Sequence, residues 1–375
     1  YHHRFRLLQR HERMMAFVPP PGTSSTKRRS SRDLETLTLT KRRVCKLTNC
    51  ETAIALPRRM DERLWEVTCS GHFPDTIARI IREYEFQAKG WEFLPKNVAF
   101  DWVSGVAMSP SRDRLYMIEG NLDNQARYYH FDEMTWHSLP NMKSPKTEFG
   151  LAVSPDGKRL YTVGGLSRDG GSSGVELFDF SCHEWISLPP MTTARVAPGV
   201  GLSHGGRRLY AIGGEKDGKM LRSVEYYDFD TEKWTRLPDM LVKRCAVRVV
   251  VPEGDPVRIY VAGGFRQDTV EYYCFQRKTW RFLPKMLRKR WLFGMACSPD
   301  GKQLYVAGGD SDTGAAVEVL DINTERWHRL PDMMSSRIGG LLSVTKDGKH
   351  LEVIGGYNDE QFLHCYASEI LRVQF

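Results

Sequence analysis

Long apolar runs are missing from this sequence. No stretch of its 375 residues approaches the ~18 consecutive apolar positions of a membrane-crossing helix, which excludes that mode of membrane insertion. Cysteines are few: eight, at positions 45, 50, 69, 182, 245, 274, 297 and 365, without the spacing of a small disulfide framework. Reduced thiols in an intracellular protein are therefore expected, in the cytoplasm or, as the alternative, the mitochondrion. Neither Gly-x-Gly-x-x-Gly nor Gly-Lys-Ser/Thr occurs, so no phosphate-cradling loop is expected. His-Glu-x-x-His is also absent, and no strand-to-helix nucleophile elbow is read.

Charge is present but unevenly spread. The net charge is +8, yet residues 1–46 alone hold twelve lysines and arginines against three acids, leaving the remaining 329 residues near −1. The basicity belongs to an arm, which Pro19-Pro20-Pro21-Gly22 and a polar run mark as disordered. Its clusters Lys27-Arg28-Arg29 and Lys41-Arg42-Arg43 suit nucleic-acid phosphates, so RNA is a candidate partner of residues 1–46. Residues 47–76 read as an irregular or short helical extension. Cys45, Cys50, Cys69 and His72 form a loosely zinc-like set around it, although unpaired thiols are the favoured reading and no cofactor is expected.

Glycine and tryptophan then give the organisation. Trp-x-x-Leu-Pro occurs six times, beginning at Trp91, Trp136, Trp185, Trp234, Trp280 and Trp327, with steps of 45, 49, 49, 46 and 47 residues. Out of phase run paired glycines at 164–165, 213–214, 263–264, 308–309 and 355–356, with Glu119-Gly120 as a degenerate copy. Four short strands fit each period; in 197–238 they are Val200-Gly-Leu, Arg208 to Ile212, Val224 to Phe229 and Trp234 to Leu237. Four strands repeated six times predict an all-β propeller.

At these residues the sequence resembles the kelch family. Gly213-Gly214, Val224-Glu225-Tyr226-Tyr227-Asp228, Trp234-Thr-Arg-Leu-Pro238-Asp-Met240 and Arg244 spell its motif almost whole. The resemblance covers about residues 77–375 and implies a six-bladed kelch β-propeller with an irregular basic N-terminal extension. The first Trp copy lacks a preceding glycine pair, and the last pair lacks a following Trp. N-terminal strands at about 80–95 are therefore expected to complete one blade with the C-terminal half repeat. Tyr84, Glu85 and Phe86 compete with the stretch Phe362–Phe375 for its third strand.

The paired glycines read as tight backbone positions beside a large ring, and the six tryptophans as packing between blades. Five cations, Lys146, Arg195, Arg244, Arg290 and Arg337, stand four residues after a Met, with Asp101 in the equivalent place of the first half repeat. Two readings stand. Propeller geometry sets these positions in a ring on one face, where they could hold an acidic peptide, and the resemblance implies such a pocket in kelch adaptors that capture acidic segments. Alternatively each pairs with a strand acid, Glu176, Glu225, Glu271 or Glu318. The run Arg288-Lys289-Arg290 reads as an accessible patch.

The function expected is a non-catalytic protein–protein interaction scaffold in a multiprotein complex, and no enzyme. One alternative is a structural subunit of a large ribonucleoprotein, such as an organellar ribosome, anchored by the basic arm. The other is a carbohydrate-type oxidase or epimerase. The family includes a copper oxidase with two His and two Tyr ligands, whereas the histidines here fall at unrelated repeat positions.

Overall fold

The computed structural model describes residues 91–97, 105–119, 124–252, 255, 257–309, 314–345, 347–358, 363–364 and 367–373. The expectations for 1–46, 47–76, the Cys45, Cys50, Cys69 and His72 set, Tyr84–Phe86 and Asp101 lie outside these residues. By compactness the chain divides into Tyr1–His72 and Phe73–Phe375, and every described residue belongs to the second unit.

One period shows how the local sequence makes a blade. Gly199–Leu202, Arg208–Ile212, Val224–Asp228 and Lys233–Leu237 pair antiparallel in that order. Gly206, at φ 68°, closes the first hairpin, and its N–H donates to the Ser203 carbonyl at 2.8 Å. The Asp228 carboxylate accepts the N–H groups of Asp230 and Thr231 at 3.1 and 3.3 Å and so shapes the last hairpin. The second strand is the most enclosed, because sheets cover both its faces. Leu209, Tyr210, Ala211 and Ile212 are all buried.

Six such sheets follow one another, and the described residues contain no helix. Blade I runs from Gly105–Met108 to Thr135–Leu139, and blade II from Gly150–Val153 to Glu184–Leu188. Blade III is the sheet just described. Blade IV runs from Arg248–Val250 to Thr279–Leu283, and blade V from Gly294–Cys297 to Arg326–Leu330. Blade VI joins Leu341–Val344, His350–Ile354 and Ala367–Arg372 to Trp91–Asn97.

Blade VI settles the competition for the third strand. Ala367–Arg372 holds that place, and Trp91–Asn97 adds outside it, with Trp91 opposite Leu371 and Leu94 opposite Ser368. Among the described residues, the front of the chain supplies this one strand to the blade. A four-stranded sheet with its third place filled from the C-terminal side has room for a single strand from the front of the chain.

The apolar core is distributed. Six separate clusters lie between neighbouring blades, from Phe149, Leu160 and Phe178 at the I–II seam to Ala296, Leu342 and Leu351 at the V–VI seam. The ring closes where Leu115 and Met117 of blade I pack with Ile354 of blade VI. Arg112 reinforces that seam. Its guanidinium donates to the Ser343 hydroxyl at 2.7 Å, to the Val344 carbonyl and to the Glu352 carboxylate.

Candidate functional site

Strand alternation puts two sets of loops on one face of the ring: those between second and third strands, and those leading from a fourth strand to the next blade's first. Bridges between the two sets tie that face together, as Val196 with Glu215 and Leu221 with Arg244. All five cations of the sequence-predicted ring sit in the second set.

None of them faces solvent. Arg244 and Arg290 are 0% exposed, Arg195 and Arg337 1%, and Lys146 3%. Each is paired with an acid on the third strand of the following blade: Arg195 with Glu225 at 3.0 Å, Arg244 with Glu271 at 2.9 Å, Arg290 with Glu318 at 2.6 Å and Arg337 with Glu369 at 2.7 Å. Lys146 lies 3.6 Å from Glu176. Further guanidinium donors go to backbone carbonyls, as from Arg244 to Gly263 at 2.7 Å and to Thr269 at 2.9 Å, and Arg244 also donates to the Thr269 hydroxyl at 2.7 Å. The partner-binding assignment of Lys146, Arg195, Arg244, Arg290 and Arg337 is therefore corrected. A cation whose fork is spent inside the fold has none to offer a peptide, and the internal-pairing reading holds. Glu369, the acid that serves Arg337, was missed because Ser368 replaces the valine that precedes the acid in Val224-Glu225 and Val270-Glu271.

These pairs stitch one blade to the next. The Arg244 N–H donates to the Leu221 carbonyl of blade III, while its side chain reaches into blade IV. Gly214 of blade III donates to the Arg244 carbonyl at 2.8 Å. A Cβ on Gly213, whose φ is 61°, would meet that same carbonyl oxygen at 2.6 Å, which is why only glycine serves there. Gly164, Gly213, Gly263 and Gly308 each abut an arginine carbonyl, with a methionine methyl beside Gly164 and Gly213; of these four, the expected large ring stands beside Gly263 only, as Phe293. Four tryptophans add a further stitch, each donating its indole N–H to the proline carbonyl of the preceding blade, as from Trp234 to Pro189 at 2.8 Å.

Burial holds the Arg195 and Arg244 guanidiniums below their ordinary value, with Glu225 and Glu271 opposing it. The Lys146 ammonium is lowered for the same reason, against Glu176. Closer to the axis, burial pushes the Glu148 carboxyl up to about 7, with Glu215 adding to the effect.

The acids also hold the loop above them. Glu271 accepts the Leu241 N–H at 2.8 Å, and Glu318 accepts the Leu287 N–H at 2.9 Å. With their amides tied down, these two side chains turn outward, 42% and 57% exposed. Around them Lys243, Arg266, Arg288 and Lys289 are exposed. Phe265 and Trp291 meet edge to face at 5.6 Å, with the Arg266 guanidinium 5.2 Å above the Phe265 ring. The result is a basic surface with apolar points over the blade III–IV and IV–V junctions. Lys289 and Arg288 of the sequence-predicted patch belong to it, whereas Arg290 is turned inward.

Among the described residues no three His, Cys, Asp or Glu side chains are placed to hold a metal. Gly170-Gly171-Ser172-Ser173-Gly174 does spell Gly-x-Ser-x-Gly. It lies in a hairpin between strands, and the Ser172 hydroxyl accepts the Gly174 N–H at 3.0 Å, so no nucleophile elbow forms.

The family model of the kelch motif matches residues 150–192, 198–241 and 293–334. These segments coincide with blades II, III and V and the loops that follow them. No curated protein matches the chain.

Proposed function

The chain is a kelch-repeat β-propeller, and from that premise we propose that it is a non-catalytic protein-interaction module that docks its partner on the loops of blades III to V. The observation that carries this reading is the exposure of Leu241 and Leu287, each held by a buried acid, among Lys243, Arg288 and Lys289. Leucines fixed outward at a basic surface suit a segment that alternates acidic and apolar side chains. The rigid ring limits the ordering cost of binding to the partner and a few loop side chains.

The test compares proteins co-purifying with the intact chain and with the variant Leu241→Ala, Leu287→Ala, Arg288→Ala, Lys289→Ala. Partners lost by that variant and kept by Asp230→Ala, on the opposite face, support the reading. Identical partner sets from both would reject it.

A second reading concerns residues 1–46 and rests on their charge of +9. Here they anchor the propeller to RNA, within a ribonucleoprotein assembly. Phosphate contacts by several lysines and arginines make binding fall steeply with salt. RNA affinity that is unchanged on removal of residues 1–46, or insensitive to salt, would exclude this reading.

A further inference from the structure

The six inner strands carry a single charged residue, Arg248, at the start of blade IV. Blades I, II, III and V have glycine in that place, at 105, 150, 199 and 294, and blade VI has Leu341. The reason for glycine is geometric. A Cβ on Gly199 would lie 2.4 Å from the Val247 and Val249 methyls of the next blade, so this position points into the seam between inner strands. At the IV–V seam the position instead holds an arginine. Its Nε donates to the Phe293 carbonyl of blade V.

Arg248 differs from the five stitching cations in having no paired acid among the described residues. Burial lowers its guanidinium to about 10, and no carboxylate among the described residues opposes it. Its two terminal nitrogens have no protein partner among the described residues, and the side chain is partly open to solvent. Of five N–H donors four remain, in the planar pairing that matches a carboxylate or phosphate. Water reaches these donors, and a guanidinium fork held at a fixed place beside the seam is a better partner for an oxyanion than for water. The residues Trp291 to Phe293 connect this place to the basic surface that carries Leu287, Arg288 and Lys289.

We propose that Arg248 forms an oxyanion-binding site at the axial end of the IV–V seam, receiving a carboxylate of the segment docked on the loops beside it. The identity of the ligand rests on the docking reading above; the presence of an anion site does not. A free phosphate has the same chemistry, and the experiment separates the two sources.

The experiment follows thermal unfolding of the full chain against malonate and against inorganic phosphate, at constant ionic strength set with chloride. Saturable stabilisation is expected for the unaltered chain and for Arg288→Ala/Lys289→Ala, with at least a tenfold weaker response in Arg248→Gln. Arg248→Gly restores the residue of four sister blades and serves if the glutamine variant folds poorly, while Arg248→Lys keeps charge without the fork and is expected to respond weakly. Preference for malonate points to a carboxylate ligand, and preference for phosphate overturns that assignment. No saturable response, or an equal one from Arg248→Gln and Arg248→Gly, overturns the site. Loss of partner binding in Arg288→Ala/Lys289→Ala alone, with the anion response intact, would leave this site standing whatever becomes of the docking surface.

Discussion

The Arg244 guanidinium meets the Glu271 carboxylate at 2.9 Å with both side chains closed to solvent. One partner belongs to the loop leaving blade III and the other to the third strand of blade IV, so the contact is a seam between repeats. Buried ion pairs gain little over apolar replacements, but removing one partner strands a charge. Arg244→Ala and Glu271→Ala should each lower stability by about 3–5 kcal/mol, and the double variant by clearly less than their sum. Urea unfolding of the three variants measures this. Additive losses would show that the two groups act independently.

Lys146 is the exception in the ring. Its ammonium lies 3.6 Å from Glu176 and has no hydrogen-bond partner among the described residues, whereas Arg195 and Arg244 also serve the first glycine carbonyl of the following blade. Lys146→Arg should supply the missing donors toward Gly164 and raise stability by about 1 kcal/mol. Thermal unfolding is the readout, and an unchanged or lower midpoint counts against this account.

Glu148 predicts a pH dependence. Its carboxyl is raised from 4.5 to about 7, first by burial and then by Glu215. A group raised in the folded state favours folding while protonated. That contribution is complete below the unfolded value of 4.5 and is lost as pH climbs through about 7. Glu148→Gln should therefore be the more stable form above pH 7, by about 2 kcal/mol after allowance for partial exposure. Denaturation at pH 5 and pH 8 tests the sign; a difference between the two proteins that is the same at both would contradict it.

Removing residues 1–97 should expose an unpaired edge on Ala367–Arg372. The expected outcome is a lower unfolding temperature and concentration-dependent association in size-exclusion chromatography. A monomer of unchanged stability would mean that Trp91–Asn97 is dispensable to blade VI.

The order of the blades was readable because each repeat solves the same local problem with the same residues, and Trp-x-x-Leu-Pro with the glycine pairs marks every solution. Depth was not readable. The spacing places Arg195, Arg244, Arg290 and Arg337 around a ring, but a recurrence gives position along the ring and not distance beneath its surface. Only the recurrence of Glu 27 to 32 residues further along hinted that the charge was answered from within. The third strand of blade VI was ambiguous because Ala367-Ser368-Glu369 blurs the apolar-then-acid pattern of its counterparts. Arg248 was visible in principle, since setting the inner strands side by side shows an arginine in a glycine column. That column lies outside Trp-x-x-Leu-Pro and the glycine pairs, so the repeat's markers do not point to it.

The pairing of Trp91 with Leu371 has a temporal consequence. The first of these residues is made 280 positions before the second, so at ~5–20 residues per second it waits roughly half a minute for its neighbour. Throughout that interval the growing polypeptide carries a strand with nothing to pair with. Ala367–Arg372 decides whether the ring locks, and a nascent chain that stops before it is left open to chaperone capture or to exchange with a second copy.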